Sequence, residues 1–132
     1  YKSFSGCSGL REISIPSTVK TVGIGAFENC TELKDISLPT TLTEINYYTF
    51  SGCTSLTTLT LHSKLTAINN YAFAGCKSLT EIHCKNSNPP LIGENTFRDV
   101  NRIGCKIFVP SKRAKKSYST ALYWNEFTIY IE

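Results

Sequence analysis

Four cysteines, Cys7, Cys30, Cys53 and Cys76, stand 23 residues apart, and the residues around them keep the same step. Phe4, Phe27, Phe50 and Phe73 lie three residues before them; Leu10, Leu33, Leu56 and Leu79 lie three after. Ile13, Ile36, Leu59 and Ile82 follow, then Ile15, Leu38, Leu61 and Cys84 two positions on. Two looser columns, Val19, Leu42, Leu65 and Val22, Ile45, Ile68, complete the unit. A fixed period in this range leaves few folds open. Each unit is one supersecondary element too small to bury its own apolar face, so the units must stack and share an interior. A chain of 132 residues, 41% hydrophobic and 18% charged, has the composition of one globular domain, which excludes a disordered chain and a highly charged nucleic-acid tail. No apolar run reaches the ~20 residues of a membrane span, and Tyr1-Lys2-Ser3-Phe4 does not open like a signal peptide.

Within a unit, Leu-x-x-Ile-x-Ile carries the period-2 alternation of a short strand, with Ile13 and Ile15 on one face and Glu12 and Ser14 on the other. Pro16 and Pro39 follow such strands and end them, because proline cannot donate to a ladder. The stretch from Ile24 to Cys30 holds a glycine and spaces Phe27 and Cys30 by three, which predicts one helical or 3₁₀ turn. The register fails after Cys84, where Asn88-Pro89-Pro90 interrupts the unit and one extra residue moves the next phenylalanine to Phe97. Further on, Ser111 is placed to cap a helix with apolar positions Ala114, Tyr118, Ala121 and Leu122, and Phe127, Ile129 and Ile131 alternate as a last strand.

The unit Phe50-Ser51-Gly52-Cys53-Thr54-Ser55-Leu56-Thr57-Thr58-Leu59-Thr60-Leu61, like Phe27 to Pro39, resembles the BspA-like leucine-rich repeat of bacterial cell-surface proteins. The segment Cys105-Lys106-Ile107-Phe108-Val109-Pro110, with Tyr118, Trp124 and Phe127 after it, is similar to the C-terminal cap of that family. His62 and Lys85 depart from the pattern by replacing the strand-ending proline. The expected fold is an α/β, right-handed leucine-rich-repeat solenoid with a parallel strand face, short helical turns and a helix/strand cap. Residues 1–97 are expected to hold about four repeats and 98–132 the cap, in one domain. The first repeat starts three residues before Phe4 and leaves Phe4, Cys7 and Leu10 near an open end, as expected of a fragment of a longer protein or, in the alternative, of a surface that packs against a partner copy. The resemblance implies a secreted or surface-anchored bacterial protein that engages macromolecules of a host or a neighbouring cell, here expected to be a monomer.

Candidate chemistry is sparse. Zinc sites need cysteine pairs two to four residues apart, whereas the ladder cysteines are 23 apart, so no metal and no other cofactor is expected. Stacked cysteines ~4.8 Å apart with parallel Cα–Cβ bonds do not meet disulfide geometry, which leaves buried thiols with weak donors to loop carbonyls. Cys84 and Cys105 lie off the ladder, and a bridge between them needs a different register. His62 and His83 read as outward strand positions about 8 Å apart, beside Glu81, but no nucleophile with a positioned base accompanies them and no enzyme is expected. From Arg98 to Lys116 the charge sums to +6 against −2 elsewhere, with Lys112, Arg113, Lys115 and Lys116 forming a candidate basic patch. A nucleic-acid partner is not expected.

The outward strand columns remain: Glu12, Asp35, Thr58, Glu81 and Ser14, Ser37, Thr60, His83, flanked by Arg11, Lys34, Thr57 and Thr80. Rigid strands fix such side chains at little entropic cost, so this face is the candidate surface for a protein or cell-surface macromolecule. It shows no aromatic cluster in these columns, while Tyr47, Tyr48 and Tyr71 form a second, rim-like candidate surface. A structural spacer projecting another domain is the competing role.

Overall fold

The computed structural model of the chain describes residues 2–132. Among the described residues nine short strands, one α-helix and a 3₁₀ turn (Trp124–Glu126) occur; the strands and α-helix in order are β1 (Glu12–Ser14), β2 (Asp35–Ser37), β3 (Glu44–Ile45), β4 (Thr58–Leu61), β5 (Ala67–Ile68), β6 (Glu81–Cys84), β7 (Leu91–Ile92), β8 (Lys106–Val109), α1 (Lys112–Thr120) and β9 (Thr128–Ile131). They build three sheets, β1-β2, β3-β5-β7 and β4-β6-β8-β9, and every pairing is parallel. The fold is a leucine-rich-repeat solenoid: each rung contributes one strand to the main face, and the register matches Ile13 with Ile36, Leu59 with Ile82 and Ile82 with Ile107. The alternation predicts this directly. Leu59, Leu61, Ile82 and Cys84 are buried while Thr58 and Thr60 between them face water.

The phenylalanines stack into one column, with ring centroids 5.2 Å apart for Phe4 and Phe27, 5.5 Å for Phe27 and Phe50, 5.4 Å for Phe50 and Phe73, and 5.6 Å for Phe73 and Phe97. The extra residue before Phe97 is thus absorbed outside the column, in the Asn88-Pro89-Pro90 loop. There Asn88 is exposed, Pro90 is buried, and the Pro90 carbonyl accepts from the Trp124 indole at 2.8 Å.

The segments carrying these rings correct one expectation: they are not helical. Alternate amides bond within the turn, as Ala26, Glu28 and Cys30 do to the carbonyls of Gly23, Gly25 and Phe27. The amides between them, those of Gly25, Phe27 and Asn29, bond to Tyr47, Thr49 and Ser51 on the next rung. A helix would consume every amide inside its own segment; consecutive turns leave half of them to tie rungs together. The turns require a left-handed residue every four positions, met at Gly25 (φ 65°) and Asn29 (φ 60°), then Tyr48 (φ 60°) and Gly52 (φ 76°). A Cβ at Gly52 would lie 2.2 Å from the Asn29 side-chain oxygen, so glycine there answers both a conformation and a close approach.

The return segments hold β3, β5 and β7, a second sheet with strands of two residues each, too short to show an alternation in sequence. The C-terminal end closes the stack. Ser111 caps α1 through a 3.1 Å bond from the Ala114 amide, Ala114 and Tyr118 are buried, and the Tyr118 hydroxyl donates to the Asn86 carbonyl at 2.8 Å. Leu122 departs from the expected apolar face: it lies beyond the helix and is 69% exposed. Trp124 and Phe127 sit on Phe97, at 5.8 and 5.7 Å between centroids, and cover the last ring. At the other end Phe4 is 50% exposed, and Leu10, Ile13, Ile15, Val22 and Phe27 line an open cleft of about 370 Å³.

Candidate binding surface

The main strand face carries the predicted columns in two blocks. Glu12 pairs with Asp35 and Ser14 with Ser37 on β1 and β2, where all four line a shallow depression of about 390 Å³. Thr58 pairs with Glu81 and Thr60 with His83 on β4 and β6. Between the blocks, β2 and β4 pack together without a ladder. The gap is spanned instead by the Thr54 and Ser55 hydroxyls, which donate to the Thr31 carbonyl at 3.4 and 2.6 Å.

Both columns run on into the cap. Glu81 is followed by Lys106 and Thr128, and His83 by Phe108 and Tyr130. The His83 ring stacks on Phe108 at 4.8 Å with planes 10° apart, and Phe108 meets Tyr130 at 5.7 Å. His83 Nδ1 donates to Glu132 Oε1 at 2.7 Å, its Nε2 lies 3.8 Å from Glu81 Oε2, and Lys85 Nζ lies 3.3 Å from Glu132 Oε2. The bond from His83, with Lys85 adding to it, holds the Glu132 carboxyl below the usual carboxylate range. Lys106 Nζ lies 5.7 Å from the centre of the Tyr130 ring. An aromatic cluster ringed by fixed charges therefore occupies a face expected to have none. The 23-residue columns end at Glu81 and His83 and leave Lys106, Phe108, Tyr130 and Glu132 off this face, although matching Ile82 with Ile107 already places Phe108 beside His83.

His62 does not belong to this face. It follows β4 where earlier units have Pro16 and Pro39, and the Leu65 amide bonds to its carbonyl as the Val19 and Leu42 amides bond to those prolines. Its Nδ1 accepts from the Lys64 amide at 3.1 Å and its Nε2 donates to the Leu42 carbonyl at 2.8 Å, which fixes the tautomer and consumes both nitrogens. The register of Thr60 with His83 keeps His62 one rung over and two residues along from His83, as expected, but its ring is committed to capping the turn. Tyr48 and Tyr71 stack on the turn segments at 4.9 Å with planes 2° apart, beside exposed Tyr47. Lys112, Arg113, Lys115 and Lys116 are all exposed on α1.

Five of the six cysteines are buried, and Cys7 is half-buried. All six are free thiols, and those of Cys30, Cys53 and Cys76 donate to the carbonyls of Phe4, Phe27 and Phe50 at 3.3, 3.5 and 3.3 Å, each on the preceding rung. Burial pushes Cys76, Cys84 and Cys105 up to about 12 and raises Cys30 and Cys53 as well, so none is a ready nucleophile. Among the described residues no cluster of three or more His, Cys, Asp and Glu side chains could hold a metal ion, and no helix is long and apolar enough to cross a membrane.

A stacked ring of parallel strands with one regular apolar column and a polar outer face defines a leucine-rich-repeat protein. The model of the BspA type leucine rich repeat region matches residues 1–124 in six copies, and the chain belongs to that family. It is similar to the crystal structure of a leucine rich cell surface protein from Faecalibacterium prausnitzii, with 29% identity and a TM-score of 0.72 over 95% of this chain and 30% of that one. A leucine-rich repeat protein from Bacteroides ovatus is 25% identical with a TM-score of 0.50, over 83% of this chain and 42% of that one. The chain therefore spans less than half the length of either protein. None of the curated proteins matches it.

Proposed function

We propose that the chain is a non-catalytic binding module of a bacterial surface protein, which engages a protein or another cell-surface macromolecule through the main strand face. The observation that carries this reading is the stack of His83, Phe108 and Tyr130, held in register by β6, β8 and β9 and flanked by Glu81, Lys106 and Glu132. Aromatic groups already fixed by a sheet lose little freedom on binding, and they supply the anchors that a grid of hydroxyls lacks. The hydroxyl and acidic columns, Glu12, Ser14, Asp35, Ser37, Thr58 and Thr60, extend the footprint toward the other end. Residues 1–97 serve as the scaffold and 98–132 as a cap that also contributes binding groups.

The test labels the 132-residue chain and measures its attachment to intact host and bacterial cells by flow cytometry. Replacing Asp35 and Glu81 by Lys, or Phe108 and Tyr130 by Ala, is expected to lower attachment at least ~10-fold, with the Asp35 and Glu81 variant keeping its melting temperature. Attachment unchanged in both variants would sink the proposal and leave the spacer role.

A further inference from the structure

The basic residues of α1 are placed against the interest of the helix. Lys112 and Arg113 occupy its first turn, where the aligned peptide dipoles already present positive charge, and no acidic residue shares that turn. The last turn, where cations would stabilise the helix, carries none. Lys112 also faces Lys115 and Lys116 at spacings of three and four, and Arg113 faces Lys116 at three, so every near neighbour on this surface repels. No ion pair relieves them among the described residues. Charge needed only for solubility would be cheaper almost anywhere else on the molecule.

The cluster is compact and faces water. At 100° per residue, positions 112, 113, 115 and 116 cover an arc of about 160° over about 6 Å of axis, opposite the buried Ala114 and Tyr118. The stretch Ser111-Lys112-Arg113-Ala114-Lys115-Lys116-Ser117 puts two basic pairs on either side of one inward alanine. The remaining exposed helix positions are Ser119 and Thr120. The face has no aromatic ring on which a base could stack and no apolar side chain to enter a bilayer. What it offers is dense positive charge bordered by hydroxyls, which complements a polymer that is itself dense in anionic and hydroxyl groups.

We propose that the outer face of α1 is a docking site for linear sulfated polysaccharide, held by Lys112, Arg113, Lys115 and Lys116. The site is separate from the strand-face reading and does not depend on it.

The test measures binding of fluorescent heparin to the 132-residue chain across a salt series. The variant K112Q/R113Q/K115Q/K116Q is compared with K20Q/K64Q/K77Q/R98Q, which removes the same charge from exposed positions elsewhere. The α1 variant is expected to bind at least ~10-fold more weakly near 0.1 M salt and to flatten the salt dependence by about three ions. Its melting temperature should stay the same or rise, because the substitutions remove repulsion inside the helix. The other variant should bind within about threefold of the parent. The proposal is overturned by no heparin binding in the parent, by equal losses in the two variants, or by equal affinity for desulfated heparin. Tighter binding to single-stranded DNA or to phosphatidylserine vesicles at the same salt overturns it too.

Discussion

At the residue scale, the buried thiols link packing to pH. Cys30, Cys53 and Cys76 occupy a column where the space per rung admits a small side chain and a weak donor, and each meets a carbonyl that the turn geometry leaves one rung back. Their identity and role were legible from the 23-residue step alone, since a strict vertical stack forbids both a disulfide and a metal pair. His62 was not legible, because a histidine after a strand looks the same whether it faces solvent or caps a turn, and only the carbonyl of Leu42 decides. The thiol pKa values carry a prediction. Burial raises Cys76, Cys84 and Cys105 from the ordinary 9.0 to about 12, so folding favours the protonated form. Their contribution to stability is complete below pH 9 and is lost as the pH climbs toward 12, at about 1.4 kcal/mol per pH unit for each group. Urea midpoints should be level from pH 7 to about pH 8.5 and fall steeply above that. A Cys76→Ala/Cys84→Ala variant, though less stable at neutral pH, should fall less steeply; a parallel decline in both proteins would show that the thiols are not responsible. In native buffer a thiol reagent should modify Cys7, the half-buried member, well before the other five.

At the element scale, the ring column and the turns that hold it read differently from sequence. The column was legible, because a phenylalanine at the same place in every unit has one way to be buried. The turns were not: a spacing of three between Phe27 and Cys30 fits a 3₁₀ turn as well as consecutive turns, and the left-handed positions fall on Asn29, Tyr48 and Tyr71 as often as on glycine. The aromatic strand positions were lost for another reason. The step from Ile82 to Ile107 is 25 residues and that from Ile107 to Ile129 is 22, so a reader following 23 stops before Phe108 and Tyr130. The column predicts unequal costs along its length. Phe50 is fully buried between two stacked rings, so Phe50→Ala should cost about 3–5 kcal/mol in urea unfolding. Phe4 has one stacking partner and is half exposed, and Phe4→Ala should cost about 1 kcal/mol. Equal costs at the two sites would mean that the rings do not share a common interior.

At the scale of the whole molecule, the strength of a solenoid depends on its ends because each rung touches only its neighbours, and in the 132-residue chain the described ends differ. The last ring is covered by Trp124 and Phe127, which are anchored by the indole bond to Pro90 and the Tyr118 bond to Asn86 across the loop that breaks the repeat. The cap cannot hold itself: a nine-residue helix is too short to persist in water without the rungs beneath it. Among the described residues nothing covers the first ring in this way, and the ladder of the main face is interrupted between β2 and β4, so the first two rungs are tied to the third by the β3-β5 ladder of the second sheet, turn hydrogen bonds, hydroxyl bridges and the ring column. Opening should therefore start at the uncovered end and stop at the interruption before it spreads. In native-state hydrogen exchange, the Lys34 amide, bonded to the Arg11 carbonyl, should exchange well before the equivalent Thr80 amide, bonded to the Thr57 carbonyl beyond the gap. Trp124 is the single tryptophan and reports on the covered end, so its fluorescence should change at higher urea than the loss of backbone circular dichroism begins. Even protection on both sides of the gap, with the two signals moving together, would mean that the turn segments and the β3-β5 ladder carry full cooperativity and that the break in the strand face costs the fold nothing.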